Sequence, residues 1–332
     1  MPDPAGDAAE RSSTTNPVVV EVVRGEVVES VHAVSLVVLA PDGSVVTTAG
    51  AVDRPVYGRS SLKPAQAVAV LEVGADLTER ETALAAGSHS GEPGHLAAVT
   101  ALLARHGLGS EALRCVPDLP LGAGAARAWL AAGHGPAPLA MNCSGKHAAM
   151  LVAAGGDPGY LDPDHPLQHA CRAAVAELAG PVLAASTDGC GAPAFATTLT
   201  DLARVPWSLA RADPATTTGR VAAAMRAHPW LVAGTGRLDT VLMAELPGAL
   251  AKSGAEGVLV AALPDGTALA AKVDDGHARA VGPVLLDVLA AVGLPVPDPV
   301  AAVAAPAVVG GGRPVGGLRT RSGAREHADS AE

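Results

Sequence analysis

The stretch "RSSLKPAQ", residues 59–66, sets Ser60 three residues before Lys63. On the first turn of a helix that spacing puts both side chains on one face. A lysine amine kept neutral by desolvation can take the proton of a neighbouring serine hydroxyl. Pro64 suits this placement, because proline is tolerated in a first helical turn. Taken alone, the motif also fits a serine N-cap followed by a solvated lysine. A second stretch, "MNCSGKHAAM", residues 141–150, holds Cys143, Lys146 and His147 just ahead of an apolar run. Thiol, amine and imidazole together suggest a site at the mouth of a helix.

Two further stretches extend the chemistry. In "GSHSGEPGH", residues 87–95, Ser88 and Ser90 flank His89 within a glycine-bounded loop. Such loops often carry function, although a polar turn capping the next helix would look the same. In "AKSGAEG", residues 251–257, Lys252 comes just before the apolar run "VLVAAL". A Lys-Ser-Gly tripeptide at a strand edge is where serine β-lactamases carry their K-T-G element. The order S-x-x-K, S-x-S, K-S-G is that of the β-lactamases. The Ser60-to-Ser88 interval is short for them, and no S-D-N is present. Finally, "STDGCGAPAF", residues 186–195, places Cys190, like Cys143, in a glycine-containing turn ahead of a helical pattern. Two thiolates and one nitrogen suit Zn²⁺ with water as fourth ligand. Neither cysteine belongs to a C-x-x-C pair, so two small buried cysteines are the plainer alternative.

These residues need a frame to meet. "VVVEVVRG", "VHAVSLVVLA" and "SVVTTAG" are β-branched runs and predict a strand meander. From about 60 to 247 the pattern is mainly helical, and several segments stop on glycine. "GVLVAAL", a "PDG" turn and "TALAAKV" predict a second hairpin, followed by a helix near 281–292. Strands at both ends with helices between imply an α/β fold. Its antiparallel sheet is built from the N- and C-terminal strands and covered by helices on both faces. Residues 1–16 and 311–332 are polar and read as flexible tails around one domain, 17–310.

Composition narrows the function. The chain has 332 residues, 49% of them hydrophobic, enough for a large core. A net charge of −10 and 2% aromatics argue against nucleic acid as a partner and favour a small polar substrate. The apolar runs are broken by Gly, Pro or charge too often to cross a membrane. The acidic N-terminal segment has no apolar core of a secretory signal, so a cytoplasmic protein is expected. The four cysteines are too few for a disulfide framework and are expected to be reduced.

Together "NCSGKH", "DGCGAP", "RSSLKP", "SHSGE" and "KSGAEG" resemble the L-asparaginase II family of the rhizobial type, over roughly residues 17–310. The resemblance implies a serine β-lactamase- and glutaminase-like fold. It also implies hydrolysis of L-asparagine to L-aspartate and ammonia, two Ser-Lys pairs and a nearby zinc site. By motif, Ser60 and Lys63 match one pair. Lys252 matches the lysine of the other, with Ser88 or Ser90 as its serine. Cys143, Lys146 and Cys190 match the metal ligands. Arg59, Ser90, His147 and Asp188 line the substrate pocket, Arg59 toward the α-carboxylate and Asp188 toward the α-ammonium or Lys146. A lysine ligand must be neutral, so metal binding releases protons. The resemblance further implies a homodimer. Cys115 and Cys171 fit no motif and are expected in the core. His89, His95, His134, His165 and His169 are expected at the surface or as caps. Two rival readings remain at this level: a β-lactamase-like or peptidase-like serine acylase, and a non-enzymatic amino-acid- or metal-binding protein on the same scaffold.

Overall fold

Valine-rich runs pair early in the computed structural model, which describes residues 17–321. Strands β1 (Val18–Arg24), β2 (Val27–Leu39) and β3 (Val45–Ala49) form the expected meander. A short β4 (Pro55–Tyr57) follows. Strands β5 (Ala184–Thr187) and β6 (Pro193–Thr198) lie in the middle of the chain. Strands β7 (Leu250–Gly254), β8 (Val258–Ala262) and β9 (Ala268–Val273) return near the C-terminal end. They are followed by β10 (Val308–Gly310) and β11 (Arg313–Arg321).

The main sheet has the order β10-β11-β1-β2-β9-β8-β7, with β3 also paired to β2. Every pairing is antiparallel. The sheet is therefore an α/β layer built from the two ends of the chain, as the sequence implied. In β8 all five residues are buried. Successive side chains point to opposite faces, so both faces are covered there. The helix Val281–Ala291 packs on β1, β9 and β11, and the helix Leu199–Arg211 packs on β2, β8 and β9. The C-terminal helix expected near 281–292 thus lies where it was predicted.

Two expectations need correction. The span 60–247 is mainly helical as expected, but Cys190 does not precede a helix: β5 and β6 fall within the span and pair with β4 in a separate three-stranded sheet. Its hairpin turn carries Asp188 and Cys190, so Cys190 precedes a strand and not a helix. The strands are short, and β5 is exposed throughout, so the apolar pattern there is weak.

The second correction concerns the C-terminus. Residues 313–321, expected in a tail, form β11 and pair with β1 over six positions. "RPVGGLRTR" is polar because most of the strand is exposed, but Glu21 on β1 accepts hydrogen bonds from both Arg319 and Arg321. Residues 1–16 and 322–332 lie outside the described residues. No described helix is long and apolar enough to cross a membrane.

Removing residues 311–332 should strip β1 of a neighbour and leave an open, valine-rich edge. The expected result is a lower thermal midpoint and visible aggregation in light scattering. Unchanged melting would show that β11 contributes nothing to stability.

Candidate active site

The chain turns sharply into the site. Arg59 adopts φ +51°, a left-handed conformation that costs a non-glycine residue energy. It opens the 3₁₀ turn Arg59–Leu62, which runs directly into the helix Lys63–Glu72 with Pro64 in its first turn. Lys63 is 1% exposed. Its Nζ donates to Gly87 O at 2.7 Å and contacts Ser88 Oγ at 2.7 Å. The pairing therefore differs from the one expected. Lys63 reaches the serine of the second motif, and no hydrogen bond joins it to Ser60 among the described residues. Ser60 is half-buried in the preceding turn.

The Ser88–Ser90 segment is extended and anchored on both sides. Ser88 N and Ser90 N donate to Val232 O and Ala233 O, and His89 N donates to Asn142 O. Ser90 Oγ donates to Ala233 O. The hydroxyl of Ser90 is thus spent on backbone, whereas that of Ser88 meets an amine. His89 and His95 are fully buried, which corrects their expected surface placement. Gly91 N donates to His89 Nδ1, so Nε2 carries the proton and donates to Ser144 Oγ at 3.0 Å. Burial holds His89 well below the usual imidazole range, with His95 and Lys63 adding to the effect. A neutral His89 therefore ties the serine segment to the start of the helix Ser144–Ala153. His165 does cap a helix, through its hydrogen bond from Leu167 N, and His134 and His169 are exposed.

The third lysine sits on an edge strand. Lys252, 1% exposed on β7, donates to Ser253 O at 2.8 Å and approaches Asp239 Oδ2 at 3.4 Å. Asp239, on the helix Leu238–Glu245, also accepts from Ser253 N at 2.9 Å and from Ser253 Oγ. Burial pushes the Lys252 amine down to about 8; Asp239 opposes this, while Lys63 and Arg237 add to it. Burial would raise Asp239, but Lys252, Arg237 and the Ser253 bonds outweigh it and hold the carboxyl below its usual range. The glycine of Lys-Ser-Gly is there for close approach. A Cβ on Gly254 would meet Gly58 O at 2.7 Å, so only glycine lets β7 lie against the Arg59–Leu62 turn.

The fourth cluster contains the thiols. Cys143 caps the helix Ser144–Ala153 from its N-terminal side, and Cys190 comes from the β5–β6 turn. Lys146 Nζ donates to Cys190 Sγ at 3.2 Å. A hydrogen bond from Cys143 pulls the Cys190 thiol far down, against burial, and Lys146 and His147 reinforce it. The same bond, together with burial, pushes Cys143 up. Burial works against the Lys146 charge, but the two sulfurs raise its amine overall. Both directions favour the charged forms of the pair. His147 Nδ1 pairs with Tyr160 OH at 2.8 Å, while its buried Nε2 has no hydrogen-bond partner and lies beside Cys190. Burial, then Lys146, push His147 down to about 4, so it is neutral. Two sulfurs, an amine and an unsatisfied imidazole nitrogen form a donor set that fits a zinc ion. Among the described residues no group of three or more His, Cys, Asp or Glu could hold a metal, so a site here depends on Lys146. Cys115 and Cys171 are buried as expected.

Arg59 and Asp188 join the Arg59–Leu62 turn to the β5–β6 hairpin turn. Arg59 Nε donates to Asp188 Oδ1 at 2.8 Å, and Gly189 N caps the same oxygen at 2.7 Å. The two residues expected to face opposite ends of a substrate hold each other. Lys63 acts electrostatically on both Lys252 and Cys143, so the serine, lysine and thiol clusters adjoin, while Ser90 turns its hydroxyl away.

The family model for L-asparaginase II matches residues 20–320. The chain belongs to the L-asparaginase II family. Comparison with curated proteins gives no match. Membership makes the protein an asparaginase-type amidohydrolase with a small-molecule substrate.

For this L-asparaginase II family member, Asp239 is the residue that sequence reasoning missed. "RLDT" sits in an ordinary helical pattern, and nothing local marks its aspartate. A signal for the lysines existed: the chain has only four, Lys63, Lys146, Lys252 and Lys272, and three are buried here. Arginine cannot replace a lysine that must hold or lose a proton.

Removing one partner of a buried ion pair strands the other charge, at about 3–5 kcal/mol. Asp239→Ala should show a loss on that scale in urea denaturation. Asp239→Leu combined with Lys252→Met should recover most of it. A single-variant loss under roughly 1 kcal/mol, the size of an exposed pair, would mean that Asp239 does not compensate Lys252.

Proposed function

We propose that the protein hydrolyses L-asparagine to L-aspartate and ammonia through a serine acyl-enzyme, with Lys63 as the base. The single observation that carries this reading is the 2.7 Å contact of Lys63 Nζ with Ser88 Oγ in a buried site. Nucleophile and base belong within about 2.6–3.2 Å of each other. A neutral Lys63 amine accepts the Ser88 proton while still donating to Gly87 O. The serine oxygen attacks the side-chain amide carbon, and Lys63 passes the proton to the leaving ammonia. Water then enters, gives its proton to Lys63 and attacks the ester carbonyl; the bond from the acyl carbon to Ser88 Oγ breaks, and Lys63 returns the proton to Ser88 Oγ. Ser60, one turn before Lys63, is the second hydroxyl of the site and the alternative nucleophile.

The remaining groups orient the substrate in this proposal. The salt bridge of Arg59 and Asp188 can open to an amino acid, because its α-carboxylate and α-ammonium replace the two halves of the pair. Lys252, charged at neutral pH with a value of about 8, favours the oxyanion of the tetrahedral intermediate. Cys143, Lys146 and Cys190 would hold Zn²⁺, and His147 would face it. A bound zinc ion supplies Lewis acidity beside the pocket. Lys146 must lose its proton to become a ligand, so metal uptake weakens as pH falls.

Ammonia release should be much faster from L-asparagine than from L-glutamine, because one added methylene moves the amide carbon out of attack geometry. Ser88→Ala and Ser60→Ala are assayed in parallel, with circular dichroism to confirm folding. The expectation is that Ser88→Ala abolishes turnover. A residual rate above about a tenth of wild type, a loss under ~1.4 kcal/mol, would transfer the nucleophile to Ser60. No ammonia from L-asparagine would end the reading altogether.

Metal analysis of purified protein should find about one zinc per chain, as expected for a site with a single donor set. Cys143→Ala and Cys190→Ala should lose most of it, whereas Cys115→Ala and Cys171→Ala should keep it. Equal zinc in all four variants would rule out the proposed ligands.

A further inference from the structure

Beside the site lies a cleft of about 350 Å³ that none of the steps above uses. Its walls include Arg54, Tyr57, Arg59, Glu256 and Lys272. Three observations single it out. Lys272 is the one lysine of the chain outside the buried cluster. Only two non-glycine residues among the described ones have positive φ, Arg59 at +51° and Glu256 at +62°, and both line this cleft. Such strain costs of order 1–3 kcal/mol per residue and concentrates at ligand clamps. The charges are also unevenly satisfied. Arg54 pairs with Asp274 and Arg59 with Asp188. The Lys272 ammonium bonds only to Val273 O, with no salt-bridge partner within reach among the described residues.

We propose that this cleft is a second binding site, for a free acidic α-amino acid, in which Lys272 and Arg54 hold carboxylates and Glu256 holds the α-ammonium. Arg54 and Arg59 are already paired, so Lys272 is the lining cation left without a salt-bridge partner among the described residues, and it is the group that favours an anion here. That preference is local, since the whole chain carries a net charge of −10 and repels anions at long range. The single carboxylate, on the three-residue turn between β7 and β8, gives the cleft its second pole. A simple anion has no use for that pole; an amino acid does. Burial lowers the Lys272 amine, with Arg54 adding to it and Asp274, Glu256 and Asp275 opposing, and none of these carboxylates is within salt-bridge distance of it. Arg59 both lines the cleft and pairs with Asp188, so the second site adjoins that pair.

Aspartate is the choice of ligand because it is the product of the proposed reaction, and in that respect the inference rests on that reading. The binding test needs no turnover, so failure of either can be told apart. Side-chain ¹⁵N spectra of a protein with four lysines contain at most four ammonium signals, and Lys272→Met assigns the one in question. Titration with L-aspartate should move the Lys272 signal saturably. Succinate, which has both carboxylates but no ammonium, should need at least about ten times more, a difference in free energy of one decade of affinity. Glu256→Gln should remove that preference and leave succinate binding intact. Ammonia release at low L-asparagine should be unchanged in both variants. A Lys272 signal that ignores L-aspartate, or that moves equally with aspartate, succinate and chloride, overturns the proposal.

Discussion

Burying a lysine amine removes its hydration, and the fold has to return donors' partners for each one it buries. Three amines are buried around one region here, and each has its own solution. Lys63 is met by a backbone carbonyl and a serine oxygen. Lys146 is met by the Cys190 sulfur, whose thiol is pulled down by Cys143 first and by Lys146 as well. Lys252 is met by the next residue's carbonyl and a buried carboxylate. An unpaired ion in such a setting would cost several kcal/mol. The positions of Gly87, Ser88, Cys190 and Asp239 follow from this constraint, and they come from three separate parts of the chain.

Meeting those partners requires close approach of backbone to backbone. The edge strand β7 must lie against the turn that carries Ser60, which Gly254 permits. The helix with Lys146 must lie against the helix Glu79–Ala85; a Cβ on Gly145 would meet the Leu84 side chain at 2.7 Å and its carbonyl at 2.9 Å. The serine segment is stretched between Val232–Ala233 and Asn142 by backbone hydrogen bonds, and His89 ties it to Ser144. Site geometry is thus carried by main chain and small residues. The large core beneath, formed around β8, β9 and their covering helices, supplies the rigidity.

The charge pattern also explains why the amines differ in character. Lys252 has a carboxylate partner yet is lowered to about 8, because burial and two nearby cations outweigh one anion. Lys146 is raised because its partners are two sulfurs at short range. Asp188, although paired with Arg59, adds to the rise of Lys146 after the two sulfurs. One family of side chain therefore serves as base, as fixed charge and as metal donor in the proposed reaction, according to what stands next to it.

Much of this was legible beforehand. Valine-rich strands at both ends, helices between, and the lysine, serine and cysteine motifs all follow from local composition, because periodicity and turn residues act over a few positions. The partners were not legible. Ser60 and Lys63 share a spacing, but spacing on a 3₁₀ turn does not aim the amine, and Lys63 turned to Ser88. Cys190 looked like a helix mouth and proved to be a hairpin turn. β11 looked like a tail because a mostly exposed strand is polar; its pairing with β1 depends on residues about 300 positions away in the chain. Asp239 carried no local mark, since a buried carboxylate is recognisable only by the cation it meets. The sequence by itself determined which chemical groups the protein has and which elements bear them. The tertiary structure alone decided which amine meets which oxygen or sulfur, because those contacts form between segments whose order in space is set by sheet pairing and by the demand that every buried charge find its counterpart.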